Sequence, residues 1–340
     1  MKNGTPQVAV IILNWNGEKL LAEFLPTVLQ HTDPAIGKVI VADNGSTDGS
    51  LGLLSSRFPE VEILRIKENL GFAGGYNYAL KHYAQEYPYA VLLNSDVVVR
   101  DNWLKPLFDF MESHPEAGGC QPKIRSYREP EMFEYAGACG GFIDRNGYPY
   151  CRGRIFGCVE KDNGQYDSVL PVFWATGAAL MVRTEVYLKA GGLDTSFFAH
   201  MEEIDLCWRM QLCGWKLYVV PQSVVWHLGG GSLSSADPRK TFLNFRNNLL
   251  MLYKNLPDST RRSTLLRRRL LDTIAWTKFV ITFDFANASA IWRAHRQFAS
   301  MKKKYTAFPE SDLLHVRPRR PNLLVSFYLK GCKTFARLHA

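Results

Sequence analysis

Three carboxylates crowd into four positions of the run Phe197-Phe198-Ala199-His200-Met201-Glu202-Glu203-Ile204-Asp205-Leu206-Cys207-Trp208-Arg209. On a helix, Glu202 and Asp205 share one side, Asp205 reaches Arg209 one turn later, and Glu203 projects about 100° from Glu202. One acid then orients the element while another reaches a ligand, as a base must when a hydroxyl is the attacking group. An acidic helix with surface pairing is the plainer account, against which the apolar neighbours argue for partial burial. A further acid, Asp96, ends the hydrophobic run Leu92-Leu93-Asn94-Ser95-Asp96, where a carboxylate has little structural use unless it faces a cation or a polar ligand. Hard oxygen ligands of this kind suit Mg2+ or Mn2+, which would neutralise a departing diphosphate. His227 leaves the apolar run Val224-Val225-Trp226 just ahead of Gly229-Gly230-Gly231 and could complete that metal site, although a lone histidine is more often a core or turn residue.

Two further loops have the chemistry of a nucleotide wall. Asp43 directly follows the apolar run Val39-Ile40-Val41-Ala42, where its carboxylate could accept hydrogen bonds from a base or ribose, or simply cap the Asn44–Asp48 turn. The stretch Asn69-Leu70-Gly71-Phe72-Ala73-Gly74-Gly75 offers backbone donors and close approach, or forms a bare turn before a helix. It has neither the G-x-x-x-x-G-K-[ST] pattern of a P-loop nor a G-x-G-x-x-G fingerprint, which weakens ATPase and nicotinamide readings.

The elements that must hold these groups follow from hydrophobic patterning. Unbroken apolar runs at 8–13, 39–42 and 89–93, and a strand-like run at 61–66 that Glu62 and Arg65 interrupt, alternate with helical patterns at 20–28, 51–58, 76–83 and 103–111. Such strands are apolar on both faces, so they predict an α/β fold with a mostly parallel sheet covered on both sides and its sites at the strands' carboxyl ends. Residues 118–170, rich in Gly and Tyr, read as short strands and long loops; order returns at 176–182, at the acidic helix 201–213 and at a strand over 216–220. A catalytic domain over 1–255 is expected, with a nucleotide-binding half at about 7–115 and an acceptor half at about 116–255. A basic helical region, 256–340, follows.

Charge separates the two parts. Residues 1–260 hold 24 Lys and Arg against 28 Asp and Glu, whereas 261–340 hold 17 against 4. The segment 270–292 is rich in Leu, Ile, Phe and Trp but interrupted by Asp272, Lys278 and Asp284, which suits an interfacial helix better than a spanning one. Binding to an anionic membrane surface through 261–340 is the favoured expectation, with packing on the catalytic domain as the alternative. Nucleic acid is not expected, because the catalytic part is slightly acidic and the tail aromatic. The seven cysteines show no CxxC spacing, which fits a reducing compartment, and the first residues leave no room for a signal peptide.

Six ordered segments carry a resemblance: VAVIILNWNGEKLL, VIVADNGSTDGS, ENLGFAGGYNYAL, VLLNSDVVV, FWATGAALMVRTEVYLKAGGLDTSFFAHMEEIDLCWRMQLCGWKLYVV and VVWHLGGGS. Across roughly residues 7–253 the chain resembles inverting glycosyltransferase family 2, of the GT-A fold, and its rhamnosyltransferase-like branch. The resemblance implies that Asn14 and Asp43 contact the nucleotide of a UDP- or dTDP-sugar donor, with Asn69, Gly71, Phe72, Ala73, Gly74 and Asn77 completing that wall. Asn94-Ser95-Asp96 corresponds to the Asp-x-Asp element in a variant with Asn first, leaving Asp96 and His227 for Mn2+ or Mg2+. Thr176-Gly177-Ala178 corresponds to the segment bordering donor sugar and acceptor. Where the family has Glu-Asp this chain has Glu202-Glu203, so Glu203 stands at the base's position, with Glu202 or Asp205 as alternatives. It further implies transfer of a hexose or deoxyhexose, possibly rhamnose, to a lipid-linked saccharide in bacterial cell-surface polysaccharide assembly, on the cytoplasmic side of the membrane. The rival readings are a sugar-nucleotide binder without turnover and a nucleotidyltransferase, the latter opposed by the lack of an early basic triphosphate loop.

Overall fold

A computed structural model describes residues 6–229, 237–305 and 321–339. The first apolar runs form β1 (Val8–Asn14), β2 (Gly37–Asn44), β3 (Glu62–Ile66) and β4 (Tyr89–Leu93), joined by the helices α1 (Glu18–His31), α2 (Ser50–Arg57) and α3 (Gly71–His82). After them come β5 (Val97–Val99), α4 (Lys105–Ser113) and β6 (Ala117–Ser126), then the short strands β7 (Gly141–Ile143), β8 (Pro149–Cys151), β9 (Arg154–Ile155), β10 (Cys158–Val159) and β11 (Leu170–Val172). The remainder is β12 (Ala179–Arg183), α5 (Thr184–Lys189), α6 (Glu202–Leu212), β13 (Lys216–His227), α7 (Pro238–Asn255), α8 (Asp258–Ile281), α9 (Phe285–Met301) and α10 (Phe335–His339).

The main sheet runs β11-β13-β6-β12-β4-β1-β2-β3, with β5 on β13. Pairing is parallel through β3-β2-β1-β4 and between β6 and β13, and antiparallel where β12 enters between β4 and β6. Two apolar layers cover it, one containing Tyr76, Leu80, Trp174 and Trp208 and the other Leu21, Leu25, Trp103 and Met111. Burial on both faces explains why these strands carry unbroken aliphatic runs, and it pushes polar groups to the strand ends. The register places Asn14 beside Asp43 at one such end.

Two expectations are corrected and a third is sharpened. The Gly71–Gly75 stretch is the first turn of α3 rather than a loop. Asn69 Oδ1 accepts from Gly71 N (2.8 Å), and a Cβ on Gly75 would strike Leu13 and Asn44, so glycine there lets the helix press against the sheet. The strand seen at 216–220 continues to His227, with a register shift between Val220 and Val224 that keeps it paired to β6. Within 118–170, β7 to β10 form a separate four-stranded antiparallel sheet.

Charge and packing divide the chain differently. Helix α7 lies against α6 and α9, and α8 packs on both α7 and α9. Downstream, Leu323 is buried with its N–H on Asp144 Oδ2 (3.1 Å), and the Phe335 ring lies 5.2 Å from that of Phe142. The basic region thus wraps the acceptor half instead of standing apart from it. Among the described residues no helix is long and apolar enough to cross a membrane.

Candidate active site

At the ends of β1 and β2, Asn14 Nδ2 donates to Asp43 Oδ1 (3.0 Å) and to Ser46 Oγ (3.1 Å), while Asp43 Oδ2 accepts from Ser46 N (3.1 Å). Asp43 thus caps its own turn, and buried Asn14 Oδ1 has no partner. Asn44 carries the frame onward: its amide donates to Asn69 Oδ1 (3.0 Å) and Gly71 O (3.1 Å), and its Oδ1 accepts from Leu70 N (3.0 Å). Asn69, Gly71 and Phe72 are thereby held at the same sheet edge. Of the other residues expected in this wall, a Cβ on Gly74 would lie 2.8 Å from that of Leu70, and Ala73 is buried in the apolar core. Asn77 is a brace rather than a wall residue, because its Oδ1 accepts from Tyr187 OH (2.6 Å) and Leu193 N (2.9 Å) and its Nδ2 donates to Leu193 O (2.8 Å). No capacity is left on its amide oxygen for a nucleotide.

Beyond β4, Asp96 and His227 meet. Oδ1 of Asp96 lies 3.1 Å from Nε2 of His227, and the Asn94 amide nitrogen is 3.3 Å from the same Nε2. Leu228 N donates to Asp96 O (3.0 Å), tying the two strand ends together. On the far side of the ring, Nδ1 faces Glu134 Oε1 at 3.6 Å. Burial would depress the imidazole, but Asp96 and Glu134 outweigh it and raise His227 to about 10. Asp96, despite burial working the other way, is held below the ordinary aspartate value by His227.

A divalent cation would need more ligands than these two, and the described residues hold no cluster of three or more His, Cys, Asp or Glu able to bind one. Mg2+ is usually held by one or two carboxylates with substrate phosphates and water completing the shell, so a two-group site fits an ion that arrives with a diphosphate. The pair joined by a proton is also the pair that would release that proton on loading.

Opposite stands α6. Asp205 is fully buried and accepts from Arg209 Nε (2.9 Å), Lys254 Nζ (2.9 Å) and Asn255 Nδ2 (2.8 Å), so it anchors α7 to α6. Glu202 is buried, its Oε2 without a partner, and burial followed by the Glu203 charge holds its carboxyl well above the ordinary range. Glu203 is half-buried and faces the cleft: a Cβ on Gly177 would lie 3.4 Å from Phe72 Cζ and 3.7 Å from Glu203 Cβ. Burial, opposed by backbone hydrogen bonds, raises Glu203 to about 7. Thr176 N donates to Gln121 Oε1 (2.9 Å), and Ala178 O accepts from Asn94 N (3.0 Å). The segment 176–178 therefore links Glu203 and Phe72 on one side to Asn94, His227 and Asp96 on the other.

Sequence reading missed Glu134, Gln121 and Asn44. Glu134 and Gln121 lie in the stretch without clear periodicity, so nothing local marks them; Asn44 is visible beside Asp43 but reads as part of a turn. Residues 9–148 match the model of the family described as Glycosyl transferase family 2. Over 239 residues the chain is 27% identical to the N-acetylglucosaminyl-diphospho-decaprenol L-rhamnosyltransferase of Mycobacterium tuberculosis (strain CDC 1551 / Oshkosh), covering 66% of this chain and 76% of that protein. It is 24% identical over 156 residues to Rhamnosyltransferase WbbL of Escherichia coli (strain K12), covering 44% of this chain and 58% of that one. The crystal structure of GalNAc-T7 with UDP, GalNAc and Mn2+ superposes with a TM-score of 0.57 at 17% identity, over 75% of this chain and 48% of the other, a likeness of fold with a protein of which this chain spans about half. Joined to a sheet whose polar strand ends meet at one edge, these comparisons show a GT-A fold whose residues 9–148 match Glycosyl transferase family 2, in a chain similar to rhamnosyltransferases.

Proposed function

We propose that the chain transfers a hexose or deoxyhexose, rhamnose foremost, from a UDP- or dTDP-sugar to a hydroxyl of a lipid-linked saccharide, with inversion at the anomeric carbon. The observation that carries this reading is the cleft itself, in which the Asp96–His227 pair (3.1 Å) and Glu203 are joined through the 176–178 segment. Asn14, Asp43 and the Asn69–Phe72 edge form the donor's nucleotide wall. Mn2+ or Mg2+ held by Asp96 and His227 would neutralise charge on the leaving diphosphate. Glu203 takes the acceptor hydroxyl's proton as that oxygen attacks from the face opposite the nucleotide, and its value of about 7 suits a base at neutral pH. Behind it, burial and the Glu203 charge hold Glu202 well above the ordinary carboxylate range, so the pair resists carrying two charges. Two supports come from relatives: the name of the mycobacterial protein specifies a diphospho-decaprenol acceptor, and the GalNAc-T7 structure contains UDP and Mn2+.

The C-terminal helices add a place of work, the anionic inner face of a bacterial cytoplasmic membrane. At 3.6 residues per turn, Leu266, Leu270, Ile274 and Ile281 fall within about 80° of arc on α8, and all four are exposed. Arg262 and Arg269 flank that stripe on one side and Arg267 and Lys278 on the other, all exposed, the pattern of a helix lying in a lipid interface.

Donor hydrolysis with UDP- and dTDP-sugars, with and without Mn2+ or Mg2+, tests the reading. Turnover is expected to require the cation and to vanish in Asp96→Ala. Cation-independent turnover that survives this substitution would overturn it.

A further inference from the structure

The loop that delivers the catalytic acids to the cleft carries a feature the transfer mechanism does not use. Phe198 and His200 have φ of +67° and +68°, and Met201, at the start of α6, has +73°. Left-handed backbone at three non-glycine positions is strained and persists only where the surroundings enforce it. Here α7 enforces it: Arg246 Nη2 donates to the carbonyls of Ser196 (3.1 Å) and Phe197 (2.8 Å), and Asn247 Nδ2 to those of Phe197, Ala199 and His200 (2.8–2.9 Å). The result is that Phe198 stands 60% exposed instead of joining the core.

Phe198 forms one wall of a cavity of about 220 Å³ whose other walls are Phe242 and Leu243 of α7 and the two arginines Arg239 and Arg293. Both arginines are exposed, and neither guanidinium is paired with a described carboxylate. Arg293 lies 5.7 Å from the centre of the Phe242 ring, so its charge is oriented over an apolar floor. Two cations above aromatic and aliphatic side chains fit a ligand with an anionic head joined to a hydrocarbon chain. From Phe198 to Glu203 the backbone spans at most about 18 Å, within reach of a sugar held between the two. Beside Arg293 on α9, Trp292 is also exposed.

We propose that this cavity is the acceptor's anchor, in which Arg239 and Arg293 hold the diphosphate of a prenyl-diphosphate-linked saccharide and Phe198, Phe242 and Leu243 take its first hydrocarbon units. This rests on the lipid-linked acceptor proposed above. Arg239 and Arg293 are then specificity residues for the acceptor, with no part in breaking the donor's bond.

The test is calorimetric titration of the full chain, with a chelator present, using farnesyl diphosphate and farnesol as probes. Saturable binding of the diphosphate is expected, at least tenfold tighter than farnesol, and at least tenfold weaker in Arg239→Gln/Arg293→Gln. The control Arg262→Gln/Arg269→Gln, on the outer face of α8, is expected to bind the probe as the natural chain does. Unchanged affinity in the first double variant, equal binding of farnesol, or displacement of the probe by UDP or by phosphatidylglycerol vesicles would overturn the proposal. Donor hydrolysis, run on the same preparation of the natural chain, separates the two readings. Its absence from the natural chain would count against the transferase reading, whatever the probe does.

Discussion

In the sheet, β1 and β4 hide their aliphatic side chains and release polar groups only at their ends, whereas α8 hides Thr264, Arg268 and Asp272 and presents Leu266, Leu270, Ile274 and Ile281 to solvent. The first region is what water demands of a folded chain. The second is reversed, and its interior holds together because its charges are paired: Arg268 Nη2 donates to Asp272 Oδ1 (3.1 Å), His295 Nε2 lies 3.0 Å from Asp272 Oδ2, and the Arg268 guanidinium stacks 3.9 Å over the Tyr148 ring. An exposed apolar stripe beside an interior whose charges are paired points to a second medium outside α8, while the sheet's polar ends point to a ligand inside the cleft. Each region can be disturbed separately.

The largest effect is expected in the cleft. Glu203→Gln keeps the shape of the side chain and removes its basicity, so kcat for transfer is expected to fall by about 10²–10⁴. Stability at neutral pH should not fall with it, since Glu202 loses a like-charged neighbour. Steady-state rates and thermal melts on the same samples check both parts; a loss below tenfold would assign the proton to another group. Nearly as large, but of a different kind, is Asp272→Ala. It leaves Arg268 buried without its partner and is expected to cost about 3–5 kcal/mol of stability. Denaturant unfolding measures it, and a neutral result would mean that the interior of the helical region is wet.

The same contrast explains what was legible in the residues. Runs such as Val8–Leu13 and Tyr89–Leu93 announce buried parallel strands because burial on both faces leaves no other composition, and strand ends then name Asn14, Asp43, Asn94 and Asp96 as neighbours of one edge. Convergence of His227 with Asp96 was also foreseeable, since both leave apolar runs. Glu134 was not, because its position depends on the pairing of Ile124 and Glu134 backbones across a stretch without periodicity. The low helix propensity of Gly71, Gly74 and Gly75 hides the first turn of α3, and the close approach to β1 and β2 overrides that propensity. In the C-terminal helices, counting charges located the basic surface but not the inward-facing Arg268 and Asp272, whose burial depends on partners far along the chain.

A middle-sized effect is expected on the outer face. Leu270→Glu/Ile274→Glu alters exposed side chains, so stability should stay within about 0.5 kcal/mol. Affinity for anionic vesicles should drop by roughly a hundredfold or more, because each of the two aliphatic side chains withdrawn from lipid is worth about 1.5–3 kcal/mol when fully buried. Vesicle sedimentation measures this, and retention of binding would remove the second medium from the comparison.

The smallest effect concerns protons. As the proposed base, Glu203 would act only when ionised, and it stands at about 7, so kcat/KM is expected to fall tenfold per unit as pH drops below about 7 and to level off above it. Stability runs the other way: a carboxyl raised in the folded chain contributes stability that is present below its ordinary value of 4.5 and is lost as pH climbs through about 7. The active form is therefore the less stable one, and Glu203→Gln should erase both the acid limb of the rate profile and this part of the stability loss. An acid limb near 4.5 in the natural chain would show that the carboxyl is solvated in the working enzyme, and the cleft would then lose the dryness that sets it apart from the outer face of α8.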